Sequence, residues 1–354
     1  MNFIHLTCDA RFGGINKFIN TLAESDHKLN NHFSFKAENI SKHVYQHQCP
    51  RFNYRKTRGV LLFVDIILNL PFVLFYGLKY DAIIFHSILL IPYAFLFSLL
   101  GKNIYFIVHD FNNPWPLIRL VNYFYSNRVR FVSPILMPTF SNTLYTNHNV
   151  LLPVTKVYAQ SIQYKSKTNT SLELEQSSLS LLFVGSLSYV KGLQLFLQNL
   201  TLLSINIDIT IHVIGELDRR YIKHFRNFDH SPTGTKTIYH GKIYDQTLKS
   251  SIASKCNFSL IPSISEVFPY VYSESLMYNK IPLCSSILAF TSITSHQAHL
   301  FNPKNLFEIE TVLKWAITLS NIDYIDYVKR LQYDYSKFCN NFANIDFFAR
   351  SIGE

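Results

Sequence analysis

At 354 residues, with 48% apolar and 16% charged side chains, the chain has material for two ordinary cores and a composition that excludes wholesale disorder. Its net charge of +10 is uneven: residues 1–150 carry 14 Lys/Arg against 7 Asp/Glu, and the remainder carries 19 against 16. That excess fits an anionic partner (nucleic acid, an acidic membrane surface or a phosphorylated substrate) or a solvated face with no partner. No nucleic-acid partner is expected, because the basic residues form no sustained stripe within a known module.

Cys8, Cys49, Cys256, Cys284 and Cys339 are odd in number and scattered, with no CxxC. The pattern fits reduced thiols in a cytoplasmic protein and argues against a disulfide framework or a zinc site. Met1–Leu6 shows no basic segment followed by a long apolar run, so no signal peptide is expected.

In chain order, Phe3–Thr7 reads as a first strand. Gly13 and Gly14 follow, then a helix to about Ala23. Phe33–Lys36 reads as a second strand, and residues 39–58 read as irregular. Val60–Tyr80 is nearly long enough to cross a bilayer, but Asp65, Asn69 and Pro71 lie inside it. A charge at bilayer depth is costly, so the expectation is a very apolar helix, buried or lying in a membrane interface. Asp81–Phe85 reads as a strand, Leu89–Leu100 as a helix and Asn103–Val108 as a strand; Arg130–Val132 and Val150–Leu152 complete a first sheet.

Residues 155–178 are polar and without sustained period, which marks a linker. The alternation then restarts. Leu181–Val184, Ile209–Ile214, Thr237–Tyr239, Asn257–Ile261 and Ile281–Cys284 read as strands. Leu193–Leu203, Tyr270–Tyr278, Leu313–Leu319 and a stretch from about Ile325 to Phe348 read as helices. The expected fold is α/β, with two facing Rossmann-like domains and a deep cleft between them. The boundaries are 1–154, a linker over 155–178, a second domain over 179–335, and a terminal helix over 336–354 that packs back on the first domain.

Glu266 and Glu274 flank the segment Val-Phe-Pro-Tyr-Val-Tyr-Ser. With Glu266 in the loop after strand 257–261, Glu274 falls about one turn into the next helix. Both carboxylates can then reach one crevice at the carboxyl end of the sheet. A carboxylate accepts hydrogen bonds from vicinal hydroxyls, which suits a ribose or pyranose, and the helix start offers free N–H groups to a phosphate. Spacing alone is weak evidence and favours solvated surface glutamates.

Ile261-Pro-Ser-Ile-Ser-Glu-Val-Phe-Pro and the run from Glu274 to Ser286 resemble the paired-glutamate region of the family 4 retaining glycosyltransferases, of the GT-B arrangement. Leu182-Phe-Val-Gly-Ser-Leu-Ser-Tyr-Val-Lys-Gly192 is similar to that family's strand-to-helix element, and Phe12-Gly-Gly-Ile15 to its glycine loop. The resemblance implies a first domain that takes the acceptor and a second that takes a nucleotide-diphosphate sugar.

Lys191 would face the diphosphate, Glu274 the ribose, and Glu266 the donor sugar, with Val267 and Phe268 bordering it. Gly13 and Gly14 would approach phosphate or sugar, and His109, at a strand end, would hold a sugar hydroxyl or position the acceptor. His86 is a weaker candidate, with a structural role favoured. Lys242 and Ile243 would border the base. Catalysis would rest on His109 and Glu266, with no cofactor and, for want of a D-x-D motif, no metal.

Departures from the pattern are specific. Ser186 stands where the family has Arg, Val267 and Pro269 where it has Gly, and Pro269 has no N–H to offer. The implied activity is retaining transfer to a saccharide or lipid-linked saccharide in surface polysaccharide synthesis, by a cytoplasmic enzyme peripheral at the inner face of an anionic membrane. Another nucleotide-sugar enzyme, such as an epimerase, and a non-catalytic binding protein of the same fold are the rivals.

Overall fold

The computed structural model describes residues 2–6, 14–26, 31–35, 44–47, 60–109, 115–140, 145–146, 149–152, 178–203, 207–217 and 235–344. The chain divides into two compact units. One comprises Met1–Tyr158 with Cys339–Glu354, and the other Ala159–Phe338.

The first unit is built on strands β1 (Asn2–Leu6), β2 (Asn31–Phe35), β3 (Val44–His47), β4 (Ala82–Phe85), β5 (Asn103–Val108) and β6 (Val129–Phe131). They form one sheet in the order β3-β2-β1-β4-β5-β6. Every pair in it is parallel. Helices α1 (Gly14–Asp26), α2 (Val60–Gly77), α3 (Ile91–Leu99), α4 (Trp115–Tyr125) and the short α5 (Met137–Phe140) supply crossovers and cover. Central strand β4 is apolar throughout, as a sheet covered on both faces requires, and all four of its residues are buried.

The second unit repeats the plan. Strands β8 (Ser178–Val184), β9 (Asp208–Ile214), β10 (Thr235–Tyr239), β11 (Phe258–Ile261), β12 (Ile281–Ser285) and β13 (Leu300–Phe301) form a parallel sheet in the order β10-β9-β8-β11-β12-β13. Its helices are α6 (Leu193–Leu200), α7 (Gln246–Ser254), α8 (Tyr270–Met277), the short α9 (Leu288–Thr291), α10 (Leu306–Thr318) and α11 (Asn321–Asn340). In each sheet the strand order reverses next to the first strand of the unit, between β1 and β4 and between β8 and β11. Chains leave such a point in opposite directions and open a crevice at the carboxyl ends of the strands.

Some expectations change. Residues 39–58 were expected to be irregular, yet Val44–His47 form β3, paired to β2 alone. A short edge strand with one partner leaves almost no periodic signal. Leu151–Leu152 (β7) pair with Ala343–Asn344 (β14) and join the first sheet only through a bridge from Val150 to Phe131. After α11 the chain therefore returns to the first unit. Helices α4 and α7 had no counterpart in the sequence reading, and the segment 155–177 lies outside the described residues.

Val60–Gly77 is a helix, with Pro71 inside it. No helix among the described residues is long and apolar enough to cross a membrane. Cys256 and Cys284 are free and buried, and Cys339 is buried.

Candidate functional site

In the second unit the chain leaves β8 at Val184 and turns through Gly185 to a 3₁₀ turn at Tyr189–Lys191. Gly192 then caps α6 in the left-handed region, at φ 69°. A side chain there is excluded twice over: the backbone is unfavourable, and a Cβ would lie 1.9 Å from the Pro262 carbonyl oxygen. That approach, with Ile264 N donating to Val190 O at 2.8 Å, stitches the loop after β8 to the loop after β11. Gly215 serves the neighbouring loop likewise, since its Cβ would lie 1.7 Å from Gly185 O.

The stitching brings Lys191 and Glu266 together. Lys191 Nζ donates to Glu266 Oε1 in an ion pair, and Ser263 Oγ donates to the same oxygen at 2.9 Å. The side chains are 28% and 12% exposed, so the pair is partly desolvated and less screened than a surface contact. An ammonium and a carboxylate thus stand beside the point where the strand order reverses. Lys191, expected to face a diphosphate, here neutralises Glu266.

Glu274 is the fifth residue of α8, about one turn in as expected, and its charge raises the Tyr278 phenol, already raised by burial. Phe268 and Pro269 are buried and Val267 is partly so. Pro269 occupies the N-cap of α8 with no side-chain cap bond. Lys242 pairs with Glu216 at 3.1 Å, while Ile243 packs on the core cluster of Leu182, Ile214 and Ile252. Ile243 is thus a core-edge residue. Ser263, unassigned by the sequence reading, is the Ser of the Pro-Ser pair before Glu266, and that proximity was its signal.

In the first unit, Gly14 opens α1, while Gly13 lies outside the described residues. His109 follows β5 directly and His86 follows β4. His86 Nδ1 and His109 Nε2 are 2.9 Å apart, and His86 Nε2 is 2.9 Å from Nδ1 of His5, on β1. The Phe18 ring, on α1, packs in T-shaped contacts against both His86 and His109. Burial holds His109 down at about 3, and burial followed by His109 and His5 holds His86 well below the ordinary imidazole range. Both imidazoles are neutral at physiological pH.

His5 was not singled out and His86 was favoured as structural. A signal existed: three histidines at the carboxyl ends of strands adjacent in the sheet. It becomes visible only once the strand order is known. Among the described residues, no group of three or more His, Cys, Asp or Glu side chains is arranged to hold a metal ion.

Residues 165–323 match the family model described as glycosyl transferases group 1. No curated protein matches the sequence significantly. Among solved structures, Anabaena HepE, crystallised with UDP and glucose, aligns with a TM-score of 0.69 at 13% identity, covering 100% of this chain and 98% of its own. Sucrose-phosphate synthase from Thermosynechococcus elongatus aligns at 0.68 and 12% identity, covering 99% and 97%. The UDP-forming trehalose-phosphate synthase from Burkholderia xenovorans, in complex with glucose-6-phosphate, aligns at 0.67 and 12% identity, covering 100% and 99%. At these identities the structures speak to fold alone, and that fold is GT-B: two α/β units, each on a parallel sheet. With the domain match in the second unit, the class is a nucleotide-sugar glycosyltransferase.

Proposed function

We propose that this protein is a retaining glycosyltransferase that moves a sugar from a nucleotide-diphosphate donor to a hydroxyl of a saccharide or lipid-linked saccharide, in surface polysaccharide synthesis. The observation that carries the reading is the Lys191–Glu266–Ser263 cluster at the strand-order reversal of a group 1 domain. When donor binds, Lys191 turns its ammonium from Glu266 toward the diphosphate and stabilises the departing charge. Glu266 then holds donor-sugar hydroxyls beside the oxocarbenium-like centre, with Val267 and Phe268 at the sugar. Glu274 holds the ribose. Gly13, Gly14 and His109 form the sugar-contacting edge of the first unit, which takes the acceptor. No metal is required.

The acceptor reading rests on exposed apolar side chains of the first unit. Ile67, Leu68, Phe72 and Phe75 of α2 and Trp115, Tyr123 and Phe124 of α4 are all more than 40% exposed. Between them, α3 packs on α2 at Gly77–Phe97 and on α4 at Phe95–Phe124. Lys79 lies over Phe75 and Arg119 over Trp115, as in an interfacial surface of apolar rings with basic tips. These side chains dock on an anionic membrane at its cytoplasmic side and present the enzyme to a lipid-linked acceptor.

A second reading takes a soluble sugar phosphate as acceptor, as the trehalose-phosphate synthase complexed with glucose-6-phosphate suggests. A nucleotide-release screen over UDP-, GDP-, TDP- and ADP-sugars, with membrane extract or sugar phosphates as acceptor, separates the two. Turnover with one donor and membrane extract is expected. Glu274→Ala should weaken that donor's binding; unchanged affinity and turnover would remove Glu274 from the ribose site.

A further inference from the structure

We propose that His5 and His86 are positioning residues that fix the tautomer of His109, so that three imidazoles act as one hydrogen-bonded unit behind the sugar-contacting edge of the first unit. The proposal rests on the reading of His109 as a ligand contact. Its tautomer claim can be tested apart from that reading.

The three side chains come from β1 and from the ends of β4 and β5, which are neighbours in the sheet. His5 is fully buried and His86 is 2% exposed. His86 N continues the ladder by donating to Leu6 O at 2.9 Å, which sets its ring beside that of His5. The His5 and His86 ring centres are 5.2 Å apart, and those of His86 and His109 5.1 Å. The contacts run in series from nitrogen to nitrogen, which is the arrangement of a relay and not of a metal site.

Each link needs one donor and one acceptor, and a neutral imidazole has one of each. If His86 Nδ1–H donates to His109 Nε2, then His86 Nε2 must accept from His5 Nδ1–H, and His109 carries its proton on Nδ1. If His109 Nε2–H donates inward, His86 and His5 must likewise carry theirs on Nε2. Only these two arrangements satisfy both links, and in each the three rings share one tautomer. Every mixed arrangement leaves two lone pairs or two N–H groups facing each other in a buried site, where unmade bonds are costly. The choice at His5 therefore decides whether Nδ1 of His109, the nitrogen outside the chain, is a donor or an acceptor toward a sugar hydroxyl.

The test is ¹⁵N NMR of the full chain with labelled histidine, using two-bond couplings that separate Nδ1–H from Nε2–H. His5, His86 and His109 are expected to show the same tautomer. His5→Phe, which keeps the ring and removes the nitrogens, should shift His109 toward a mixture. His5→Asn keeps a polar atom at the Nδ1 position and should restore one form. With donor and acceptor in hand, His5→Phe should lower kcat by between about 10- and 100-fold with the donor KM nearly unchanged, and His5→Asn should recover most of it.

Differing tautomers among the three, or a His109 signal indifferent to His5→Phe in a folded protein, would overturn the proposal. His109→Ala reads the other question. Shared tautomers with an active His109→Ala enzyme would sustain the relay and remove His109 from the ligand site.

Discussion

Lys191 and Glu266 stand 75 positions apart in sequence and form an ion pair at the carboxyl ends of β8 and β11. The pair exists because Gly192 lets the loop after β8 lie against the Pro262 carbonyl. On the proposed donor site, binding exchanges one ionic contact for another. Lys191→Met is expected to lower kcat by about 100-fold, the typical cost of one charge-stabilising donor. Steady-state kinetics with the identified donor checks this. A raised KM with kcat unchanged would mean that Lys191 binds donor without serving the transition state.

Gly192→Ala should be more damaging to folding than its size suggests. It places a Cβ 1.9 Å from a backbone oxygen and holds alanine at φ 69°. The strain alone is worth about 1–3 kcal/mol. Thermal denaturation is expected to show a clearly lowered midpoint, whereas Gly241→Ala, at φ 71° with open space around its Cβ, should lose only the backbone share.

Acid should destabilise the first unit through its neutral histidines. His109 has a folded value of about 3 against an ordinary 6.5, and His86 is shifted the same way. Between those values the unfolded chain binds more protons, so stability falls as pH falls from about 6.5 toward 3. His109 contributes up to about 1.4 kcal/mol per pH unit in that window, and His86 acts with the same sign. In the second unit His299, also near 3, adds the same sign. Urea midpoints measured from pH 7 to pH 4 should drop, and less steeply in His109→Phe.

Metal removal should leave the enzyme working. Turnover after EDTA treatment and gel filtration is expected to match that of untreated enzyme. An inactive preparation restored by one divalent ion would contradict the proposed mechanism.

Membrane docking predicts flotation with vesicles containing anionic lipid and not with neutral ones. Replacing Trp115 and Phe75 with serine should abolish it at little cost to stability, since the two side chains are 58% and 59% exposed. Failure to bind either vesicle would sink the membrane reading and leave the soluble acceptor.

The two-unit α/β plan was legible because buried parallel strands are short apolar runs, such as the β4 sequence Ala-Ile-Ile-Phe, and these recur between helical patterns. The glutamate pair, Lys191 and His109 stand out as local words in the chain, but their contacts do not. Edge strand β3 was not legible, because a strand with one partner needs little alternation. The return of Ala343–Asn344 to pair with β7 was not either, because a two-residue strand has no period.

Local sequence by itself determined which residues carry charge and imidazole nitrogen at the strand ends. Only the tertiary structure decided which of them meet. Strand order, set by crossover handedness and sheet packing, makes β8 the neighbour of β11 and β1 the neighbour of β4. Lys191 thereby acquires Glu266 as its partner, and His5, remote in sequence from His109, joins the same hydrogen-bonded chain.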